Sequence, residues 1–317
     1  MSKDVEVVST SRVTPLHRPC PACGNSRIEG CRLVYEIPEF QVLRCLECSL
    51  TFINHVVDDN LGFAVGYEIS ADPILADKAA SDFQRLKSRL MADGVADFGG
   101  FRLLDVGCGI GTFLLKPGRE GWDVAGLELS PAVAAYAREQ RRLRVDTGSV
   151  EDPTHFLPEG FEVITMFGVI EHLANPIAAI QECARLLRPG GFLVLQTPTE
   201  DGLLRQVGRF LYRATGGLIR FQVKQFYQMG GGHSLCFNRR SIRGLLDRHG
   251  FDVLRIDQST YGVRILLERF KSFSVPRKLV LSLGTATVFG LGRMLGTSNH
   301  MTVYAKKRAS PGIARSS

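Results

Sequence analysis

The sequence predicts an α/β domain built on a mostly parallel sheet with helices on both faces, preceded by a small cysteine-rich module. Three observations carry this. From residue 101 onward short apolar runs alternate with amphipathic stretches, the pattern of repeated strand–helix units. A glycine-rich run, GCGIG, sits directly after the first apolar strand and before a helix. Two CxxC pairs lie near the N-terminus, Cys20 with Cys23 and Cys45 with Cys48.

The module comes first. Residues 15–55 are rich in Cys, Pro and Gly around a strand-like stretch at 31–43. Two pairs of soft thiolates, with 21 residues between them, supply four ligands for a tetrahedral zinc ion. Four thiolates leave no open position for water, so the expected metal is structural and folding of the module depends on it. Cys31 has no near partner and reads as a buried apolar residue. Residues 56–97 read as a helical linker, with helical spacing of apolar residues over 71–91.

The domain proper is read as 98–310. FRLLDV (101–106), WDVAGLEL (122–129), FEVITMF (161–167) and GFLVLQT (191–197) are the buried strands. Ser130-Pro131 opens the helix AVAAYAREQRR, with Ser as N-cap and Pro in the first turn. ANPIAAIQECARLL is the next helix, with Gly190 and Gly191 expected to close it. Residues 199–236, basic and aromatic with several glycines, break the rhythm and read as an insertion or lid. RRSIRGLLDRHG, FDVLRID and HMTVYAKK then supply a helix and the last strands.

With 317 residues, 44% hydrophobic and 22% charged, the composition is that of an ordinary globular protein. The opening MSKDVEVVSTSRVTP lacks a basic start followed by an apolar run, so a cytoplasmic location is expected. No internal repeat or low-complexity tract is visible, which excludes solenoid and disordered classes. Charge is uneven. Residues 1–200 hold 19 Lys and Arg against 27 Asp and Glu, and the remainder 20 against 5, giving −8 and +15. The basic half suits an anionic partner, whether nucleic acid, phosphorylated substrate or lipid surface, or else a solvated face.

LLDVGCGIGTFL carries Asp105, Gly107, Gly109 and Gly111 in the spacing DxGxGxG, and Glu128 ends the next strand, where its two oxygens can accept both hydroxyls of a ribose. Dinucleotide enzymes use GxGxxG, and this loop does not place its third glycine there. The tight turn suits a nucleoside with no pyrophosphate to cradle.

LLDVGCGIGTFL, GLELSP, FEVITMFGVIEHLANP and LLRPGGFLVLQTP together resemble the Rossmann-like class I methyltransferases, in particular the bacterial small-molecule branch with ubiquinone-pathway and sugar methyltransferases. The resemblance covers roughly residues 15–260 and implies S-adenosylmethionine as cofactor. By that likeness Asp105, Gly107, Cys108, Gly109 and Gly111 would meet its methionine part and Glu128 its ribose. Leu129 would pack on adenine, Ser149 and Val150 would lie at its amino edge, and Phe167 and Gly168 would line the floor. Ser149 stands where the family usually has Asp, and Pro117 falls in the first helix after the loop, where it can shorten or kink it. Glu171-His172 matches the family's EH signature. His172 reads as lining the site, or as half of a helix-start pair that hydrogen-bonds the backbone.

On the acceptor side, GGGHSLCFNRRSIRGLLDRHGF resembles a stretch of sugar methyltransferases whose histidine acts as base or substrate ligand. His233 stands at that histidine, with Gly232 in place of the acidic neighbour; catalytic and structural roles both stay open. Within the 199–236 segment, residues 201–230 interleave Leu, Phe and Tyr with Arg and Lys and read as a lid helix over the pocket, or as an interfacial helix admitting a lipid-linked acceptor at a membrane face. The leading function is methyl transfer to a small-molecule acceptor: a sugar, a lipid-linked glycan, or a polyketide- or quinone-like metabolite. A zinc-bearing RNA methyltransferase is the alternative, disfavoured because MFGVIEHL stands where an Asn-Pro-Pro-aromatic motif would. A noncatalytic binding protein with the same fold is the third.

Overall fold

The computed structural model describes residues 17–37, 40–54, 73–219, 233–259 and 275–309. Its larger sheet has seven strands in the order β10-β11-β8-β7-β4-β5-β6. These are β4 (Arg102–Val106), β5 (Asp123–Glu128), β6 (Arg144–Thr147), β7 (Phe161–Phe167), β8 (Leu187–Pro198), β10 (Phe251–Ser259) and β11 (His300–Lys307). β6, β5, β4, β7 and β8 run parallel, and β11 inserts antiparallel between β8 and β10. The chain leaves β4 toward β5 and later returns to β7 on the other side of β4. The crevice above this reversal is where such sheets bind ligands.

Side-chain alternation sorts the core into two faces. Leu103, Val163 and Val194 point to one, together with Phe83, Leu86 and Leu90 of α1 (Pro73–Ala92). At that spacing the three α1 residues share a stripe, and each buried side chain contributes about 1.5–3 kcal/mol. Leu104, Ile164, Leu193 and Leu195 point to the other face, against Ile180 and Leu186 of α4 (Pro176–Leu186) and Leu245 and Leu246 of α6 (Arg239–Arg248).

The helix after the glycine loop, α2 (Leu115–Arg119), has only five residues, short as expected with Pro117 inside it. Two local readings change. Ser130 sits at the N-cap of α3 (Pro131–Arg141), but its hydroxyl makes no cap; its amide donates to Glu128 Oε1 instead. Gly190 and Gly191 do not close α4, which ends at Leu186 with Leu187 already extended. They lie inside β8, where Gly190 takes φ +75° and a Cβ on Gly191 would stand 2.9 Å from the Arg188 carbonyl. The strand β6, short and with one buried residue, has no counterpart in the sequence reading.

The smaller sheet joins distant segments. β1 (Cys31–Ile37), β2 (Phe40–Cys45) and β3 (Thr51–Ile53) form an antiparallel set whose fourth strand is β9 (Leu235–Cys236), from the far side of the chain. Leu43, Leu50 and Phe52 share one apolar cluster with Leu104, Ile170 and Phe237, so the cysteine-bearing sheet rests directly on the core of the larger domain. Of the segment read as a lid, 203–214 forms α5 (Leu203–Ala214), which packs on α7 (Val275–Met294); 220–232 lies outside the described residues. Among the described residues no helix is long and apolar enough to cross a membrane.

Candidate active site

The glycine loop is shaped by close approach. Gly107 has φ +68°, and a Cβ there would fall 2.4 Å from Val169 Cγ2. Gly111 has φ +77°, and a Cβ would meet Leu143 Cδ1 at 2.2 Å. Both positions therefore demand glycine twice over, by backbone conformation and by space. The Gly107 amide donates to the Leu127 carbonyl at 2.7 Å, hooking the loop to the end of β5.

Glu128 closes the loop from the other side. Its Oε2 accepts the Gly109 amide and its Oε1 the Ser130 amide, each at 2.9 Å. Two backbone donors fix the carboxylate's orientation and leave lone pairs on both oxygens for a diol. Leu129, beside it, is 37% exposed, an apolar plate facing out of the sheet. Val150 is buried, and the Ser149 hydroxyl accepts the Glu151 amide at 3.1 Å.

Asp105 lies under the loop rather than on it. Its carboxylate is buried, accepts the Thr165 hydroxyl at 2.7 Å, and is pushed up to about 7 by burial and by Glu128 against the pull of Thr165 and Lys78. Cys108 is also buried, and burial pushes its thiol up, which makes it inert packing. Phe167 stands edge-on to Phe113 at 5.0 Å, and the Gly168 amide donates to the Gln196 carbonyl at 2.8 Å.

The residues expected on the acceptor side come from separate segments. Ile170–His172 form one 3-10 turn after β7, with Glu171 buried beneath it. Burial pushes the Glu171 carboxyl up to about 7. His233, more than 60 positions later in the chain, brings its ring to 5.0 Å from that of His172, inclined at 70°. Glu171, His172 and His233 each offer one ligand atom, all within 4.8 Å of one another, a spacing that could also hold a cation.

Several polar residues near this region escaped the sequence reading. Lys78 of α1 pairs with Asp82, donates to Gln196 Oε1 at 2.8 Å and lies 5.9 Å from the Phe167 ring centroid. Glu200 and Arg205 form a buried ion pair at 3.5 Å, joined by Arg209. His300, partly buried at the start of β11, is pushed down to about 3 by desolvation, then by Arg205 and Lys78, so it is neutral at physiological pH. Nothing in a lone Lys or His of an amphipathic pattern marks such a position; only the fold brings them together.

The four cysteines converge as expected from their spacing. Cys20 and Cys48 sulfurs are 3.5 Å apart, Cys23 and Cys45 sulfurs 3.6 Å, and all four fall within 4.8 Å. A tetrahedral zinc with Zn–S of about 2.3 Å has S–S edges of about 3.8 Å, so the set fits that ion with little movement. The hydrogen bond from Cys20 pushes the Cys48 thiol down, while the same bond and burial push Cys20 up.

Comparison with known proteins agrees with this geometry. A family model described as a methyltransferase domain matches residues 75–256. The ubiquinone biosynthesis O-methyltransferase of Xanthomonas campestris pv. campestris (strain B100) is 39% identical over 103 residues, 31% of this chain and 43% of that protein. The enzyme of the same name from Vibrio cholerae serotype O1 (strain ATCC 39541 / Classical Ogawa 395 / O395) is 33% identical over 122 residues, 37% of this chain and 48% of that protein. The chain thus spans less than half the length of these curated relatives. Among solved structures, a Galdieria sulphuraria protein provisionally assigned as a sarcosine dimethylglycine methyltransferase superposes with a TM-score of 0.50 at 18% identity, covering 71% of this chain and 84% of that one. With a family model spanning more than half its length and the glycine loop, Glu128 and sheet order all in place, the chain belongs to the methyltransferase-domain family, with the core of a class I S-adenosylmethionine-dependent methyltransferase.

Proposed function

We propose that the protein transfers the methyl group of S-adenosylmethionine to a hydroxyl of a small-molecule acceptor, with His233 as the base. The observation that carries the reading is the meeting of His233 with His172 and Glu171 at the turn after β7, the strand whose end floors the cofactor crevice. An acceptor oxygen attacks the methyl carbon, the carbon–sulfur bond breaks to leave a thioether, and the hydroxyl proton passes to the His233 imidazole. The sulfonium supplies the leaving group, so the chain's own task is alignment and proton removal. Glu128 would hold the ribose, Leu129 and Val150 the adenine, and the loop from Gly107 to Gly111 the methionine part.

For the acceptor, a phenolic hydroxyl is favoured over a sugar alcohol. A phenol ionises near 10, as tyrosine does, within easier reach of an imidazole than an aliphatic alcohol. The names of the two relatives point the same way. Incubation with methyl-labelled S-adenosylmethionine and parallel panels of catechols, monophenols and sugars tests this, with mass spectrometry of products one methylene heavier. Labelled product from sugars but from no phenol would overturn the acceptor class.

The same reading gives the cysteines one zinc ion, held by Cys20, Cys23, Cys45 and Cys48 in a closed structural site. It also gives the exterior of α5 and α7 an anionic lipid surface as partner. Neither helix contains an acidic residue, and Phe210, Leu218, Leu283, Leu291, Met294 and Leu295 are exposed on or beside them. An acceptor embedded in lipid would be met there.

A further inference from the structure

The knuckles of the cysteine module are gripped by the segment that follows His233. Each CxxC loop exposes backbone carbonyls, and three of these are taken by side chains of residues 238–248. Asn238 Nδ2 donates to the Ser49 carbonyl at 2.8 Å, Arg240 Nη2 to the Glu47 carbonyl at 2.8 Å, and Arg248 Nη2 to the Ala22 carbonyl at 2.6 Å. Asn238 is buried and holds two structures at once, since its Oδ1 also caps α6 by accepting the Ser241 amide at 2.8 Å. Ser49, at φ +68°, donates its own amide to the Cys45 carbonyl, so the bond from Asn238 lands on the turn that the thiolates shape.

From this grip a short path leads to the acceptor side. β9 pairs with β3 through Thr51 with Cys236 and Phe52 with Leu235, and the Ile53 amide donates to the Ser234 carbonyl at 3.0 Å. The buried Ser234 hydroxyl donates to the Glu171 carbonyl at 3.3 Å, next to His172. His233 is the residue immediately before Ser234, at the point where this path enters the site. The glycine loop takes no part: its hydrogen bonds run to β5 and Glu128.

We propose that the metal-bound knuckles are a positioning device for the acceptor half of the site, holding His233 against His172 through β9 and the N-terminus of α6. This rests on the assignment of zinc to the four cysteines. A module that served only as a separately folding appendage would not place three knuckle carbonyls under side chains of one remote segment. Loss of the metal should therefore release His233 and leave the cofactor half in place.

Two perturbations test this. Chelation or Cys45→Ser removes the ion. Asn238→Asp keeps the acceptor for the Ser241 amide yet cannot donate to the Ser49 carbonyl. Two readouts are needed: S-adenosylmethionine affinity by calorimetry, and the nuclear Overhauser effect between the His172 and His233 rings in histidine-labelled protein. The expected result is an affinity within about twofold of wild type, with the Overhauser effect abolished by zinc removal and weakened in Asn238→Asp. An Overhauser effect unchanged in either case overturns the proposal, and so does an affinity that falls together with it. If Cys45→Ser does not fold, Asn238→Asp decides alone. Neither readout needs an acceptor, so failure to detect methylated product would count against the proposed reaction and not against this coupling.

Discussion

The two halves of the site differ in how far along the chain their parts lie. The core of the cofactor half is local: Gly107, Gly109, Gly111, Glu128 and Leu129 fall between the end of β4 and the end of β5, and its main bonds are backbone amides to Leu127 and Glu128. The acceptor half draws His172 from the turn after β7, His233 from the approach to β9, and its bracing from the N-terminal knuckles. A local site is specified by short-range turn geometry, whereas a dispersed one exists only once long-range pairing is complete. The cofactor half should therefore survive changes that abolish the acceptor half.

The largest effect expected to sharpen that contrast is on turnover. His233→Ala should lower it by about 10² to 10⁴, the usual contribution of a positioned base, with cofactor affinity unchanged. Near-normal turnover in a well-folded variant would break the assignment of the base. Glu128→Ala should act on the opposite half, weakening S-adenosylmethionine binding by about tenfold or more, since charged hydrogen bonds are worth about 1.5–3 kcal/mol. Calorimetry returning wild-type affinity would show that the ribose is held elsewhere.

Membrane association is a weaker effect. Phe210→Ser together with Leu295→Ser should reduce sedimentation with vesicles containing anionic phosphatidylglycerol by several-fold, and added salt should reduce it further. Equal binding to neutral phosphatidylcholine vesicles would argue against the basic α5 and α7 surface as the docking face.

The smallest effect is on stability against pH. Glu171 has an ordinary carboxyl value of about 4.3 when unfolded and is pushed up to about 7 in the fold by burial. The fold therefore binds a proton that the unfolded chain releases. The stability from this group is fully present below the unfolded value and is lost as pH rises through the folded one. Melting temperatures of wild type and Glu171→Gln should thus converge in acid, and the wild type should fall relative to the variant between about pH 5 and about pH 8. Parallel curves would show that Glu171 is ionised throughout and paired within the fold.

Much of the fold was legible in the residues because its signals are local. Apolar runs of strand length, Pro131 at a helix start and the positive-φ glycines of the loop each report a conformation that neighbouring atoms impose. Two details differ from the local pattern. Ser130 stands at the N-cap of α3 but its hydroxyl makes no cap bond; Gly190 and Gly191 read as a helix stop, but they fall inside β8, between Leu187 and Phe192, which both pair with β7. The four-residue β6 carries too little apolar signal and is made a strand by β5 alone.

The sequence by itself determined the cofactor loop, the acidic end of β5 and the four-cysteine set, since each depends on spacings of a few residues that fix which groups can meet. Only the tertiary structure decided that β9 completes the cysteine module's sheet, that Asn238, Arg240 and Arg248 seize its knuckles, and that His233 stands beside His172. It also decided that Lys78, Arg205 and His300 lie near one another, and that His300 is held neutral by desolvation and by those two cations. The reason is physical. Burial and long-range hydrogen bonds depend on what the rest of the chain places opposite a residue, and no pattern in the residue's own neighbourhood records it.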